Sequence, residues 1–442
     1  MPSASFHFPK GFLWGTATSS YQVEGGNLLS NWSEWEQQAG KIIGNQKSDS
    51  ACDWWSGRWK EDFDRVQVTH QNTHRISIEW SRIQPQADRW NEAAIEYYRE
   101  MLRSMHERGI LPMVCLFHFS EPLWFHARGG WEMPDSVDFF LKFVEKIIPS
   151  IKDFCKYWIT INEPNVYIYE GYLEGLFPPG KQDAQAAFLV LKNLVKAHIG
   201  CYQIIHRYQS EARVGIAINF RAFWPKFNKS PIDGLLAKLL HQNYNNSFLD
   251  GVNKGKIDFL LKRDRISVQG IQNDFIGVNY YSGDEVNFSF SNYKKYFYNL
   301  EYPAGKELSE NGFIANIPEG MSMAIKWAAS FKQPIIITEN GIEDSTDQQR
   351  PKYMLEHIHK IWRAANLNIP IKGYYHWTLV DNFEWDRGWT QRFGLWGLNR
   401  ETQVRIHRKS VDLYAKICQT NSISSDIVQQ FTPNLMTKFF PE

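Results

Sequence analysis

The chain has 442 residues, with 49 Lys and Arg against 48 Asp and Glu, for a net charge of +1 at pH 7. Balanced, interspersed charge excludes a surface built as a whole for nucleic acid or an anionic membrane, and no run of about 18 apolar residues marks a membrane span. Apolar residues at 43% and charged residues at 22% suit a globular protein with a large core, but aromatic residues are in excess at 15%, with 18 Trp; flat rings with a polar edge serve core packing and sugar faces alike.

Short apolar runs, mostly β-branched or aromatic, predict strands at Phe12–Ala17 and Thr73–Ile78. Asn91–Arg108 predicts a helix, opening on a capping Asn and ending before Gly109. A strand follows at Leu111–Phe119, then a helix at Asp135–Ile148 with Asp135 as its cap. Tyr157–Ile161 is a strand, Gln185–Tyr208 a helix, and Arg213–Asn219 and Asp274–Asn279 are strands. The pattern closes with helix Glu319–Phe331, strand Pro334–Thr338, helix Pro351–Asn366 and strand Ile371–Trp377.

Strands alternating with helices imply βαβ units and a parallel sheet, and eight such strands close naturally into a barrel. The expectation is an α/β fold, a single (β/α)8 (TIM) barrel domain over residues 1–442. A barrel takes about 250 residues, so the surplus belongs in long βα-loops. No GxGxxG follows a strand, and neither a P-loop nor an HExxH is present, so no cofactor or metal is expected. Five cysteines with no CxxC pair suggest reduced, packed thiols. The first residues show no charged segment leading into an apolar run, so a cytoplasmic address is expected.

Polar residues fall at strand ends in a telling way. Tyr157–Ile161 breaks into Asn162-Glu163-Pro164, and Pro334–Thr338 into Glu339-Asn340-Gly341. A carboxylate directly after a buried strand sits at the C-terminal mouth of a barrel, where barrel enzymes keep their chemistry. One such Glu is as readily a helix cap; two, after strands four and seven, point to a pair. Facing carboxyls suit glycoside cleavage, one protonated to assist the leaving oxygen and one ionised to attack the anomeric centre.

Arg75, inside strand two, is costly without a partner, and Glu339 is the obvious one; the pair serves either a site or the barrel's own structure. His118 ends strand three, as a core imidazole or a site residue, and Asn279 and Tyr281 end strand six. Trp377 and Trp385 flank Glu384, as packing or as a sugar platform with a hydroxyl acceptor. His357 and His359, on the seventh helix, read as surface or packing side chains.

At this point the chain resembles glycoside hydrolase family one over nearly its whole length. The resemblance is carried by the run from Phe12 to Gly25 (FLWGTATSSYQVEG), by Arg75 to Ile83 (RISIEWSRI) and by Asn162-Glu163-Pro164. Asn279-Tyr280-Tyr281, Ile337 to Gly341 (ITENG), Asp381 to Trp385 (DNFEW) and Arg392 to Leu395 (RFGL) continue it in order. The resemblance implies retaining hydrolysis of β-glycosides, with Glu163 as acid/base and Glu339 as nucleophile. It implies that Arg75 and Tyr281 hold the nucleophile, with Asn279 beside them, and that Asn162 binds the sugar 2-hydroxyl. Gln22, His118, Glu384 and Trp385 are implied to bind the other glycone hydroxyls over a floor formed by Trp377.

The sequence departs from the family pattern at Phe119, Ile161, Phe313 and His407, where Trp, Thr, Trp and Pro are usual. Glu384 is retained, and an acidic group there opposes a sugar phosphate. The expected partners are small-molecule β-glycosides or oligosaccharides, with no nucleic acid and no membrane. The alternatives are a 6-phospho-β-glycosidase or transglycosylase on the same fold, or a non-catalytic sugar-binding relative, which typically lacks one of the two carboxyls.

Overall fold

The computed structural model describes residues 4–295 and 297–441. The eight apolar runs form eight parallel strands: β1 (Leu13–Ala17), β2 (Thr73–Ser77), β3 (Leu111–Cys115), β4 (Tyr157–Asn162), β5 (Arg213–Asn219), β6 (Phe275–Asn279), β7 (Ile335–Asn340) and β8 (Ile371–Trp377). Each pairs with its sequence neighbour, and β8 pairs with β1, so the sheet closes into a barrel. Closure leaves no edge and buries both strand faces, which is why the runs are apolar without alternation.

Inside the barrel Leu13, Met113, Ile159, Phe275 and Ile336 pack together. Gly215 lies beside Phe275, where a Cβ would stand 2.7 Å from the ring, so the smallest residue makes room for the largest. The outward residues Ile76, Val114, Trp158, Ile216 and Val278 belong to the main core under the helices.

Those helices include α1 (Glu92–Glu107), α2 (Ser136–Ile151), α3 (Ala184–Tyr208), α4 (Pro318–Ala329) and α5 (Arg350–Asn366). Asn91 caps α1, accepting from Ala94 N at 3.2 Å, and Asp183 caps α3, accepting from Gln185 N at 2.7 Å. Asp135 does not cap α2 through its side chain, and α2 runs through Pro149 to Ile151, past the predicted end at Ile148. Pro149 forgoes one backbone bond in the last turn while Ile147, Ile148 and Ile151 stay in the core. The sequence reading missed the helices Trp59–Val68, Ser247–Lys254 and Lys409–Thr420.

Two strand ends differ from expectation in ways that matter for the mouth of the barrel. β3 stops at Cys115, and the chain then turns, with Phe119 in the left-handed region at φ +66°. β7 continues to Asn340, so Glu339 stands within the strand and not after it. The ladders also slip in register near the C-terminal ends of β4, β6 and β7, between Ile159 and Asn162, at Asn279, and between Ile337 and Asn340. Such irregularities re-aim side chains, and these three strands carry the candidate carboxyls and amides.

Candidate active site

Glu339, placed by β7, is held from two sides. Arg75 Nη2 from β2 donates to Oε1 at 2.5 Å, and the Tyr281 hydroxyl donates to Oε2 at 2.5 Å. Arg75 Nη1 also donates to Asn162 Oδ1 at 3.2 Å, so the cation links the ends of β2, β4 and β7. Burial, then the Glu339 charge, holds the Tyr281 phenol well above its usual range, which keeps it a donor.

Glu163 has different surroundings. It follows β4 in the left-handed region at φ +46°, a conformation non-glycine residues adopt only where the surrounding structure compensates the strain. Its Oε1 accepts from Asn279 Nδ2 at 2.8 Å and from Asn219 Nδ2 at 2.9 Å. Thr338 orients Asn279 by donating to its Oδ1 at 2.6 Å, and the Tyr244 hydroxyl donates to Asn219 Oδ1 at 3.2 Å. Burial first, and Glu339 second, push the Glu163 carboxyl up from 4.5 to about 8. Two buried carboxyls are thus held apart by charge: one meets a guanidinium and a phenol, the other neutral amides. Glycoside cleavage needs such a pair.

Around them lies a cavity of about 470 Å³, lined among others by His118, Glu163, Tyr281, Glu339, Trp377, Glu384 and Trp385. His118 Nε2 lies 3.2 Å from Asn162 Nδ2, and its ring stacks toward Trp377 and Trp385 at 6.0 and 5.8 Å. Burial, then Arg75, pushes its pKa well down, so it faces the cavity neutral. The Trp377 ring packs in the barrel core and also lines the cavity.

Glu384 accepts from Gln22 Nε2 at 3.1 Å, and burial first pushes its carboxyl up from 4.5 to about 8. Gln22 is itself buried, bonded also to Asn382 and to the Phe383 carbonyl, so it stands behind Glu384. Arg75, Asn162 and Asn279 likewise lie fully buried. Trp385 and Phe119 share the left-handed backbone of Glu163, and their rings meet at 5.2 Å.

All eleven sequence-predicted site residues therefore gather at the C-terminal mouth. Of the two readings open for His357, surface or packing, packing holds: it is buried, 3.0 Å from Asn340 Nδ2. The reading missed Asn219 and Tyr244. The rule that singled out Asn279, a polar residue ending an apolar strand, finds Asn219 at the end of β5; Tyr244 lies on the π-helical turn His241–Asn246, which carries no such signal. Among the described residues no group of His, Cys, Asp and Glu could hold a metal, and no helix is long and apolar enough to cross a membrane.

The family model described as glycosyl hydrolase family 1 matches residues 4–423. Beta-glucosidase A of Thermotoga maritima is 32% identical, across 94% of this chain and 98% of its own length. The 1,4-beta-D-glucan glucohydrolase of Thermotoga neapolitana is 31% identical, across 94% and 99%. Among solved structures, the beta-glycosidase from Pyrococcus horikoshii gives a TM-score of 0.89 at 33% identity, covering 97% of this chain and 98% of that one. The Thermotoga maritima beta-glucosidase in complex with glucoimidazole gives 0.88 at 30%, covering 95% and 100%. Family model, relatives and barrel agree over nearly the full length, and the chain is a glycoside hydrolase that belongs to glycosyl hydrolase family 1.

Proposed function

We propose that this enzyme hydrolyses unphosphorylated β-D-glycosides, β-glucosides foremost, by double displacement with retention. The observation that carries the reading is the unlike pair: Glu339 bonded by Arg75 and Tyr281, and Glu163 bonded by amides and pushed up to about 8. In the first step Glu163 gives its proton to the glycosidic oxygen while Glu339 attacks the anomeric carbon, so the bond to the leaving group breaks and an ester to Glu339 forms. Esterification removes the Glu339 charge. The pKa of Glu163 then falls, and the same residue takes a proton from water as the water attacks the anomeric carbon and frees Glu339.

The other side chains have supporting parts. Trp377 offers an apolar floor to the sugar ring. Asn162, His118, Trp385 and the Gln22–Glu384 pair offer donors and acceptors to glycone hydroxyls. Glu384 and its amide partner offer no cation to a sugar phosphate, which favours plain over 6-phosphorylated substrates. The glucoimidazole and deoxynojirimycin complexes of the similar Thermotoga maritima enzyme support a small sugar as ligand. One closed barrel supports a single catalytic domain, and five free, buried cysteines support a reducing, cytoplasmic setting.

Proton NMR of the first product from 4-nitrophenyl β-D-glucoside tests the reading. The β-anomer is expected to appear first and mutarotate; an initial α-anomer overturns retention, and no turnover overturns the hydrolase.

A further inference from the structure

The sheet that positions Glu339 loosens where the site begins. β6 ends at Asn279, and its ladder with β7 shifts register between Val278 and Asn279. Tyr280 N still donates to the Glu339 carbonyl at 3.0 Å, the last main-chain rung between the two segments among the described residues. Tyr281, whose phenol bonds Glu339 Oε2, stands one residue beyond that rung.

Side chains continue the ladder where the main chain stops. Asn340, next to Glu339, donates from Nδ2 to the Tyr280 carbonyl at 2.6 Å. The Tyr353 hydroxyl donates to the Tyr281 carbonyl at 2.9 Å and accepts from Asn340 Nδ2 at 3.0 Å. A hydroxyl suits this place because it donates to one neighbour while accepting from the other. Tyr353 comes from α5 and is fully buried, with its ring stacked on His357 at 3.8 Å.

A buried tyrosine needs partners for its hydroxyl in any case. What sets Tyr353 apart is whose atoms it holds. One belongs to the residue after Glu339, and the other to the residue whose phenol bonds Glu339. Tyr281 lines the cavity half-buried, so packing surrounds only part of its ring, and the carbonyl bond fixes the backbone from which that ring projects. A hydrogen bond weakens steeply as its geometry degrades, and a small misplacement at the reacting groups is costly.

We propose that Tyr353 is a positioning residue for the reaction: its hydroxyl fixes the backbone of Tyr281, and through it the phenol that Tyr281 gives to Glu339. This rests on the β-glycosidase reading above, with Glu339 as nucleophile.

The test is a double-mutant cycle on kcat/KM for 4-nitrophenyl β-D-glucoside, with wild type, Tyr353→Phe, Tyr281→Phe and the double variant. Rates are taken per active site, counted by the burst of dinitrophenol from a dinitrophenyl 2-deoxy-2-fluoro-β-D-glucoside, so a lowered folded fraction does not enter. Loss of one neutral hydrogen bond is expected to lower kcat/KM by about two- to tenfold in Tyr353→Phe. With the phenol already absent, the same change is expected to cost less than about twofold in the Tyr281→Phe background, because the two residues act in series. Should Tyr353→Phe give no countable sites, Tyr353→Met, which also lacks the hydroxyl, goes through the same cycle. No loss at position 353, or the same fold loss in both backgrounds, makes Tyr353 a structural residue only and overturns the proposal while leaving the hydrolase reading intact. A wild type inert toward the glucoside strikes the hydrolase reading itself, and the positioning role falls with it.

Discussion

Arg75 Nη2 donates to Glu339 Oε1 at 2.5 Å across the barrel, with 0% and 4% of the two side chains exposed. A buried pair of this kind contributes little net stability, but removing one partner strands the other, at about 3–5 kcal/mol. Glu339→Gly is therefore expected to lower stability by that amount and, under the proposed mechanism, to cut hydrolysis at least about a thousandfold, since no glycosyl ester could form. Azide, a small anion, is expected to occupy the vacated place beside Arg75 and yield an α-glycosyl azide from an activated β-glucoside. Residual hydrolysis above a few per cent of wild type, with contamination excluded, removes Glu339 from the nucleophile's role.

In the proposed double displacement Glu163 is protonated for the first step, and its carboxyl is pushed up to about 8. The rate of glycosylation is therefore expected to fall as the pH rises through about 8. Glu163→Gln should flatten that basic limb, because an amide does not titrate. Its cost should depend on the leaving group: about a hundredfold or more for an alkyl glucoside, and far less for a dinitrophenyl glucoside that needs no proton. An unchanged basic limb in the variant would assign the proton to another group.

Glu384 meets Gln22 at 3.1 Å and faces the cavity. Glu384→Ser should lower kcat/KM on plain β-glucosides by about a hundredfold, the loss of two buried hydroxyl bonds. It should also raise the relative use of 6-phosphoglucosides, because a small hydroxyl donor then stands where the bulkier carboxyl did and leaves room for the phosphate. Competition kinetics with the two substrates measures this; a wild type that prefers the phosphorylated one contradicts it.

Stability should depend on pH through two buried sets. Burial first pushes Glu24, Glu163 and Glu384 up from 4.5 to about 7, 8 and 8, and pushes His74, His198 and His376 down from 6.5 to about 3, 4 and 3. The folded carboxyls keep protons that the unfolded chain sheds, so their contribution is complete below 4.5 and lost as the pH rises to about 8. The folded imidazoles refuse protons that the unfolded chain takes up, so theirs is complete above 6.5 and lost as the pH falls toward 3 or 4. Above pH 6.5 only the carboxyls act. The melting temperature is expected to fall between pH 6.5 and 8, each fully displaced proton being worth about 1.4 kcal/mol per pH unit. A steady rise over that interval, measured by calorimetry, would show that other groups dominate.

Much of this was legible in the residues because parallel barrel strands are buried on both faces. A run such as Pro334–Thr338 then has no reason to contain polar residues, and the Glu that follows stands out. The same logic exposed Arg75, whose charge inside a strand requires a partner. Where the logic lapsed, the cause was local. Leu111–Phe117 is apolar throughout, and nothing in it marks the end of the strand at Cys115 or the left-handed turn at Phe119 beyond it. Asn219 met the rule applied to Asn279 and was passed over. Tyr244 lies on the π-helical turn His241–Asn246, whose placement depends on the helices packed around it.

The sequence by itself determined the barrel, the two carboxyls and their position at its C-terminal mouth, because strand burial and the residues that interrupt it are properties of the chain's own pattern. Only the tertiary structure decided how the carboxyls differ. Whether a Glu meets a guanidinium or a pair of amides depends on which strand ends converge across the barrel and on register slips near Asn162, Asn279 and Asn340. Those distances are set by closure of the sheet, which joins residues as far apart as Arg75 and Glu339, and electrostatic surroundings follow distance in space rather than order along the chain.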